Sequence, residues 1–224
     1  MITNFSFINP FPRQCEIMEC DVDLKHEVIA DWTRAQLGEI EHYTSYFDPK
    51  FNDHMMSQMP LRRDLHDVIN KACRTYAIER NMPREFVDYA EENGPTWWFS
   101  QYYDGERHSL HNHPRALVAG TYYPYADEQS CTLNFRHPAG LLLMMAAPWE
   151  TNERGGKHED SGFYMHKPKT GQMLLWPSWM EHDIGPQKQV PRERSRIAIS
   201  FNWGNYMNYQ AHDETLHHLV GVNT

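Results

Sequence analysis

Two rhythms of hydrophobic and polar positions divide the chain near residue 95. Within residues 23–46, Leu24, Val28, Ile29, Trp32, Leu37, Ile40 and Tyr43 recur mainly at three- and four-residue intervals, the stripe of an amphipathic helix. Leu61, Leu65, Val68, Ile69, Ala72 and Tyr76 repeat that stripe over about residues 61–80, and Pro83 can open a third short helix through Tyr89. Turn chemistry at Asn93-Gly94-Pro95 ends the pattern. From Trp97 the segments 97–103, 107–113, 117–123, 131–135, 162–167, 171–176 and 196–203 are short and rich in aromatic or branched residues. Asp104-Gly105, Pro114, Pro138, Gly140, Gly155-Gly156, Pro168, Gly171 and Pro177 separate them. Many short strands with few helices between them predict a mainly β sandwich, jelly roll or barrel, with the N-terminal helices packed outside. The expected organisation is one domain overall. A helical segment, 1–95, packs on a β core, 96–204, followed by a tail, 205–224, in which Leu216, Leu219 and Val220 allow a terminal helix. The polar, glycine-bearing stretch 148–161 predicts a mobile loop at the barrel mouth.

Composition narrows the field. In 224 residues, 40% apolar and 13% aromatic side chains are enough for a substantial core. A formal charge of −9 opposes attraction to a phosphate backbone or an anionic membrane, so neither nucleic acid nor membrane is an expected partner. No apolar run approaches the roughly 20 residues that span a bilayer. The opening MITNFSFINPFPRQ lacks the basic-then-apolar order of a secretory signal, and a soluble cytoplasmic protein is expected. Cys15, Cys20, Cys73 and Cys131 form no C-x-x-C pair and read as reduced thiols. Histidine is over-represented, at fourteen residues, so the question is which of them converge.

His111-Asn112-His113 is the first candidate. On a strand, residues i and i+2 share a face, so two imidazoles at that spacing can occupy neighbouring corners of one metal. Alone, the spacing also suits an ordinary surface. The second feature is Gly171–His182, an apolar strand and a Pro-Ser corner that deliver His182 to the start of another strand. Fourteen residues on, Arg196 opens the alternating run Arg-Ile-Ala-Ile-Ser-Phe-Asn, with Arg196, Ala198, Ser200 and Asn202 on one face. An arginine leading an otherwise uncharged face asks for an anion, and a dicarboxylic acid would answer it with a bidentate pair. Arg192 and Arg194 compete for this role but sit in a polar segment.

The order H-x-H, His182, Arg196 resembles the 2-oxoglutarate/Fe(II) oxygenase superfamily, which reads H-x-D/E…H followed by a basic residue. It is similar still more closely to a 2-oxoglutarate-dependent Fe(II) oxygenase family of bacteria and marine phages. That family's H-x-H-P, SG-x-YY, FPSW-x-x-H and R-I-S-I-S-F-N motifs correspond here to His111–Pro114, Ala119–Tyr123, Leu174–His182 and Arg196–Asn202. The resemblance covers about residues 97–203. It implies a double-stranded β-helix and the cofactors Fe(II) and 2-oxoglutarate. It implies metal ligands His111, His113 and His182, with the keto-acid held by Arg196 and Ser200. Two departures stand out. His113 replaces the usual acidic ligand, making the site more cationic and open to Zn or Ni. Ala198 replaces a serine, so Tyr122 or Tyr123 would have to supply the missing hydroxyl. The implied reaction is hydroxylation, using O2, of an amino acid, peptidyl residue or small molecule, with the oligomeric state left open.

The remaining candidates are assigned blander roles. His108, three residues before His111, is expected on the opposite face. His137, His158 and His166 read as solvated, His217-His218 as a terminal pair, Asp183 as alternating away from the metal, and Asp127 and Glu128 as turn residues. Trp98, Trp176 and Trp179 are candidates for keeping the cavity apolar, with a plain core role as the favoured alternative. Arg115, Arg136 and Arg192 are candidates for meeting an anionic substrate, each with an ordinary surface role as the alternative. Two other functions fit the same pattern: a cupin-type three-His dioxygenase needing no keto-acid, and a non-catalytic ligand-binding barrel. The direction of Arg196 discriminates the first, and the convergence of the three histidines the second. A zinc hydrolase would want a carboxylate base that the pattern does not offer.

Overall fold

Helix α1 (His26–Leu37) forms within the first hydrophobic stripe and buries Ile29, Thr33 and Leu37, one residue per turn. The computed structural model describes residues 15–38, 44–138 and 163–205. The 148–161 loop, the C-terminal tail, His158 and His217-His218 therefore lie outside the described residues. Helix α3 (Arg62–Glu79) buries Leu65, Ile69, Cys73 and Tyr76, and α4 (Arg84–Asn93) follows Pro83 as expected. Helix α2 (Pro49–Gln58) is an addition to the sequence reading. It has only Met55 buried and hence no stripe, but the Asp48 side chain accepts from the Phe51 N–H at 3.0 Å and Pro49 starts the first turn. That Asp-Pro start was the signal available.

The β elements are β1 (Met18–Asp21), β2 (Pro95–Tyr102), β3 (His108–His111), β4 (Val118–Tyr125), β5 (Leu133–Arg136), β6 (Phe163–His166), β7 (Gln172–Pro177), β8 (His182–Ile184) and β9 (Arg196–Trp203). Five strands pair in the order β1-β7-β4-β9-β2 and four in the order β3-β8-β5-β6, all antiparallel. β1 was not foreseen. It comes from the helical first third yet pairs with β7 as the edge of the larger sheet.

Alternation along each strand of the larger sheet sorts its residues between two cores. Trp97, Phe99, Val118, Tyr122, Met173, Leu175, Ile199, Phe201 and Trp203 join the helices' buried residues on the outer face. Ala119, Tyr123, Leu174, Trp176 and Ala198 face inward, against Leu133 and Phe135 of the smaller sheet. The Trp203 indole N–H donates to the Asn70 side chain at 2.6 Å, tying α3 to β9. Two facing antiparallel sheets with crossed strand order and helices on one outer face make a mainly β, double-stranded β-helix fold. No helix among the described residues is long and apolar enough to cross a membrane.

Candidate metal centre

The inward face of this barrel carries the histidines. His111 on β3 and His182 on β8 are direct cross-strand partners, and their ring centroids are 4.3 Å apart. His113 lies just past the end of β3, where the sequence had expected strand to continue. Its backbone N–H donates to the Ser178 carbonyl at 2.8 Å, and the Ser178 hydroxyl donates to the Ala116 carbonyl at 2.5 Å. The Pro-Ser corner after β7 thus clamps the loop that presents His113. Imidazole nitrogens of His111, His113 and His182 all lie within 4.8 Å of one another. Convergence of three side chains spread over more than seventy residues is what a metal needs and what chance rarely supplies.

The donor geometry fits an ion. The Nε2 atoms of His113 and His182 stand 3.1 Å apart, and two nitrogens bound at about 2.1 Å to one ion are separated by roughly 3.0–3.4 Å. His182 Nδ1 lies 2.9 Å from the Met180 carbonyl and His111 Nδ1 lies 2.8 Å from the Ser109 carbonyl. A carbonyl only accepts, so each Nδ1 carries the proton and each Nε2 keeps a lone pair for the metal. Burial, then the neighbouring His111 and His113, push the pKa of His182 down to about 2. Burial and His111 lower His113 to about 4, and burial also lowers His111. All three are neutral near pH 7, the form that ligates.

Arg196 is 1% exposed and reaches into the same cavity. One guanidinium nitrogen donates to the Cys131 carbonyl at 3.1 Å, and the group lies 4.4 Å from the Tyr102 ring centroid. It makes no ion pair with a carboxylate among the described residues, and its buried Nε lacks a partner. A buried cation in that state is a receptor for an anion. The Tyr123 hydroxyl, also buried and unpartnered, and Ser200 line the same cavity.

Four expectations need correction. Tyr122, proposed with Tyr123 as a hydroxyl donor, faces the helices because adjacent strand residues alternate, and its hydroxyl meets His26 Nδ1 at 2.6 Å. His108 shares the cavity with His111, with centroids 4.3 Å apart, instead of facing away. Between them β3 advances three residues while β8 advances two, and this bulge cancels the alternation. Trp179 is 47% exposed, leaving Trp98 and Trp176 as the indoles of the cavity. His166 is buried, its Nε2 2.7 Å from the Gln172 side-chain oxygen, not solvated. Asp183 does turn away, accepting from Asn134 at 2.6 Å.

Residues 96–202 match the family model described as "Putative 2OG-Fe(II) oxygenase". That match implies Fe(II) and 2-oxoglutarate as cofactors, and the three-imidazole cluster lies within the matched segment. Among solved structures, the non-haem α-ketoglutarate-dependent epimerase SnoN from nogalamycin biosynthesis has a TM-score of 0.50 and 12% identity, over 86% of this chain and 77% of that one. A prolyl-4-hydroxylase from Pseudomonas putida has a TM-score of 0.47 and 12% identity, over 84% of this chain and 92% of that one. At 12% identity the likeness to SnoN speaks to the fold alone. No curated protein matches the chain in sequence.

Proposed function

We propose that the protein is a 2-oxoglutarate-dependent Fe(II) dioxygenase, hydroxylating a C–H bond of a small-molecule, amino-acid or peptidyl substrate. His111, His113 and His182 hold the iron, and Arg196 receives the distal carboxylate of the keto-acid, with Ser200 and the Tyr123 hydroxyl beside it. The observation that carries this reading is a fully buried guanidinium with no carboxylate partner among the described residues, in one cavity with three converging imidazoles. Its inward direction favours 2-oxoglutarate over a cupin-type dioxygenase.

When bound, the cofactors supply an oxidant from O2 as 2-oxoglutarate loses CO2 and becomes succinate. The chain's own contribution is binding, orientation and exclusion of water. With His111, His113 and His182 as its only protein ligands, a bound metal would remain open to the keto-acid and O2. The Arg196 fork fixes the far end of the keto-acid, and the buried Tyr123 hydroxyl replaces the serine absent at Ala198. Trp176, 2% exposed, and Leu133 keep the cavity wall apolar. A reducing, cytoplasmic setting suits Fe(II) and four free thiols.

The test is anaerobic titration of 2-oxoglutarate into the Fe(II)-loaded protein, following the visible charge-transfer band of a chelated keto-acid. A band in the wild type, weakened in Arg196→Ala and abolished in His182→Ala, supports the proposal. Tight iron without a band transfers the site to the cupin-type reading, and absence of iron binding leaves a ligand-binding barrel.

A further inference from the structure

The cavity holding the imidazoles has a volume of about 600 Å³, the size of a small-molecule site. Its described lining includes two guanidiniums, Arg196 and Arg115, and no Asp or Glu, although the chain carries thirty acidic residues. The imidazoles are neutral, so among the described residues no carboxylate of the cavity lining would offset a metal dication. With both carboxylates of 2-oxoglutarate bound, a dication and the two arginines would still leave the described lining net positive. Excess positive charge of that kind attracts a further anion.

The structure selects among the arginines that the sequence offered. Arg136 is paired with Glu181 at 3.1 Å, and Arg192 lies 5.7 Å from the Tyr103 ring centroid, outside the cavity lining. Arg115 lines the cavity, is exposed, and makes no ion pair with a described residue. Its backbone stands at φ 76°, in the left-handed region that L side chains rarely adopt. Such backbone persists where surrounding structure dictates it, and it clusters at ligand sites.

Facing the same space is an aromatic wall. Tyr46 and Phe47 are 57% and 56% exposed, an unusual state for large rings, and Tyr46 packs edge-on against Trp98 at 5.2 Å. Trp98 in turn stacks on His113, with centroids 5.7 Å apart and planes at 22°. The turn carrying the two exposed rings is firmly tied. Thr44 bridges to Ser100, whose hydroxyl donates to Thr44 Oγ1 at 3.0 Å. The Phe99 N–H donates to Ser45 Oγ at 3.0 Å, and Ser45 donates to Asn52 at 2.6 Å. Exposed rings on a segment held this way form a binding face already organised before a ligand arrives.

We infer that Arg115 with Tyr46, Phe47 and Trp98 forms the substrate subsite, and that the substrate is a small organic anion bearing a flat ring. Its carboxylate meets Arg115 and its ring lies against the aromatic wall, within reach of the metal centre. The inference rests on the oxygenase reading of that centre and names the substrate class it takes.

The experiment is calorimetric titration of 3-phenylpropionate and its uncharged amide into the full chain loaded with Mn(II) and saturating 2-oxoglutarate, which occupies Arg196. Wild type, Arg115→Gln and Phe47→Ala are compared, and keto-acid binding is measured separately on each. The acid is expected to bind wild type about tenfold more tightly than the amide. Arg115→Gln should erase that difference and leave the amide unchanged, while Phe47→Ala weakens both. Equal binding of acid and amide to wild type overturns the inference, as does failure of either probe to bind. So does loss of both probes in Arg115→Gln while keto-acid binding persists, which would make Arg115 structural. Capture of the ring-bearing acid only as part of a peptide overturns the small-molecule assignment. Arg115-dependent preference for the acid in a protein that fails to bind 2-oxoglutarate would sink the oxygenase reading and leave the subsite standing.

Discussion

His182 and His111 each direct Nδ1 to a backbone carbonyl, so the main chain leaves their Nε2 lone pairs available to a ligand. The cost is sensitivity to acid. The folded pKa values of about 4 for His113 and about 2 for His182 lie below the ordinary 6.5, so the unfolded chain takes up protons first as pH falls. Stability from the neutral rings is therefore complete above about pH 6.5 and is lost on the way down through pH 4. For one such imidazole the loss by pH 5 is roughly 2 kcal/mol. Urea midpoints of metal-free protein at pH 7.5 and pH 5 should differ in that direction, and a higher midpoint at pH 5 would refute it. Arg196 invites a second substitution. Arg196→Lys keeps the charge but loses the planar fork, so the dissociation constant for 2-oxoglutarate should rise about tenfold or more with metal affinity unchanged. Parallel keto-acid and metal titrations would separate the two effects.

Elements act on the site through a few contacts. The corner after β7 holds the His113 loop by the Ser178 hydroxyl and carbonyl. Ser178→Ala removes a buried hydrogen bond to Ala116 and should weaken metal binding by about tenfold, at a stability cost of about 1–2 kcal/mol. A competition assay with a chromogenic chelator reads the first and a denaturant melt the second. In β4, Gly120 pairs with Leu175 on one side and Phe201 on the other, and the Phe201 ring covers the place where a side chain would stand. A Cβ there would also approach the Leu174 carbonyl to 2.8 Å. Gly120→Ala should therefore cost about 1–3 kcal/mol by overpacking the junction of three strands, measurable as a lowered urea midpoint.

Across the whole molecule, the larger sheet separates two tasks. Its outer face is stabilised by helices packed on Phe99, Tyr122, Ile199 and Phe201, and its inner face packs on Leu133 and Phe135 and lines the cavity. The structural stability and the site are thus coupled mainly through β9, which contributes Arg196 and Asn202 inward and Trp203 outward to Asn70. A metal that binds only the folded site stabilises by mass action, about 2.7 kcal/mol at a free concentration one hundred times its dissociation constant. Thermal melts with and without Fe(II) under anaerobic conditions should show that gain in wild type and not in His182→Ala.

What the sequence determined by itself was periodicity. The stripes through 28, 29, 32 and 37 and through 65, 68, 69, 72 and 76, and the alternation of Arg196 through Asn202, follow from helix and strand geometry, so α1, α3 and β9 could be read off directly. The H-x-H pair, His182 and Arg196 could be picked out as candidates because their residue types and order suit metal and dicarboxylate chemistry. Tertiary structure decided what no local rhythm encodes. A single bulge in β3 turned His108 into the cavity, which depends on the pairing of β3 with β8 rather than on β3 alone. The strand phase put Tyr123 inside and Tyr122 against α1's His26, a choice between neighbours that motif matching left open. Joining the Thr44–Phe47 turn to β2 placed two exposed rings in one cavity with imidazoles more than sixty residues away in sequence. Alternation is a property of adjacent residues, whereas convergence is a property of the closed barrel, and only the second brings charge, ring and imidazole into one cavity.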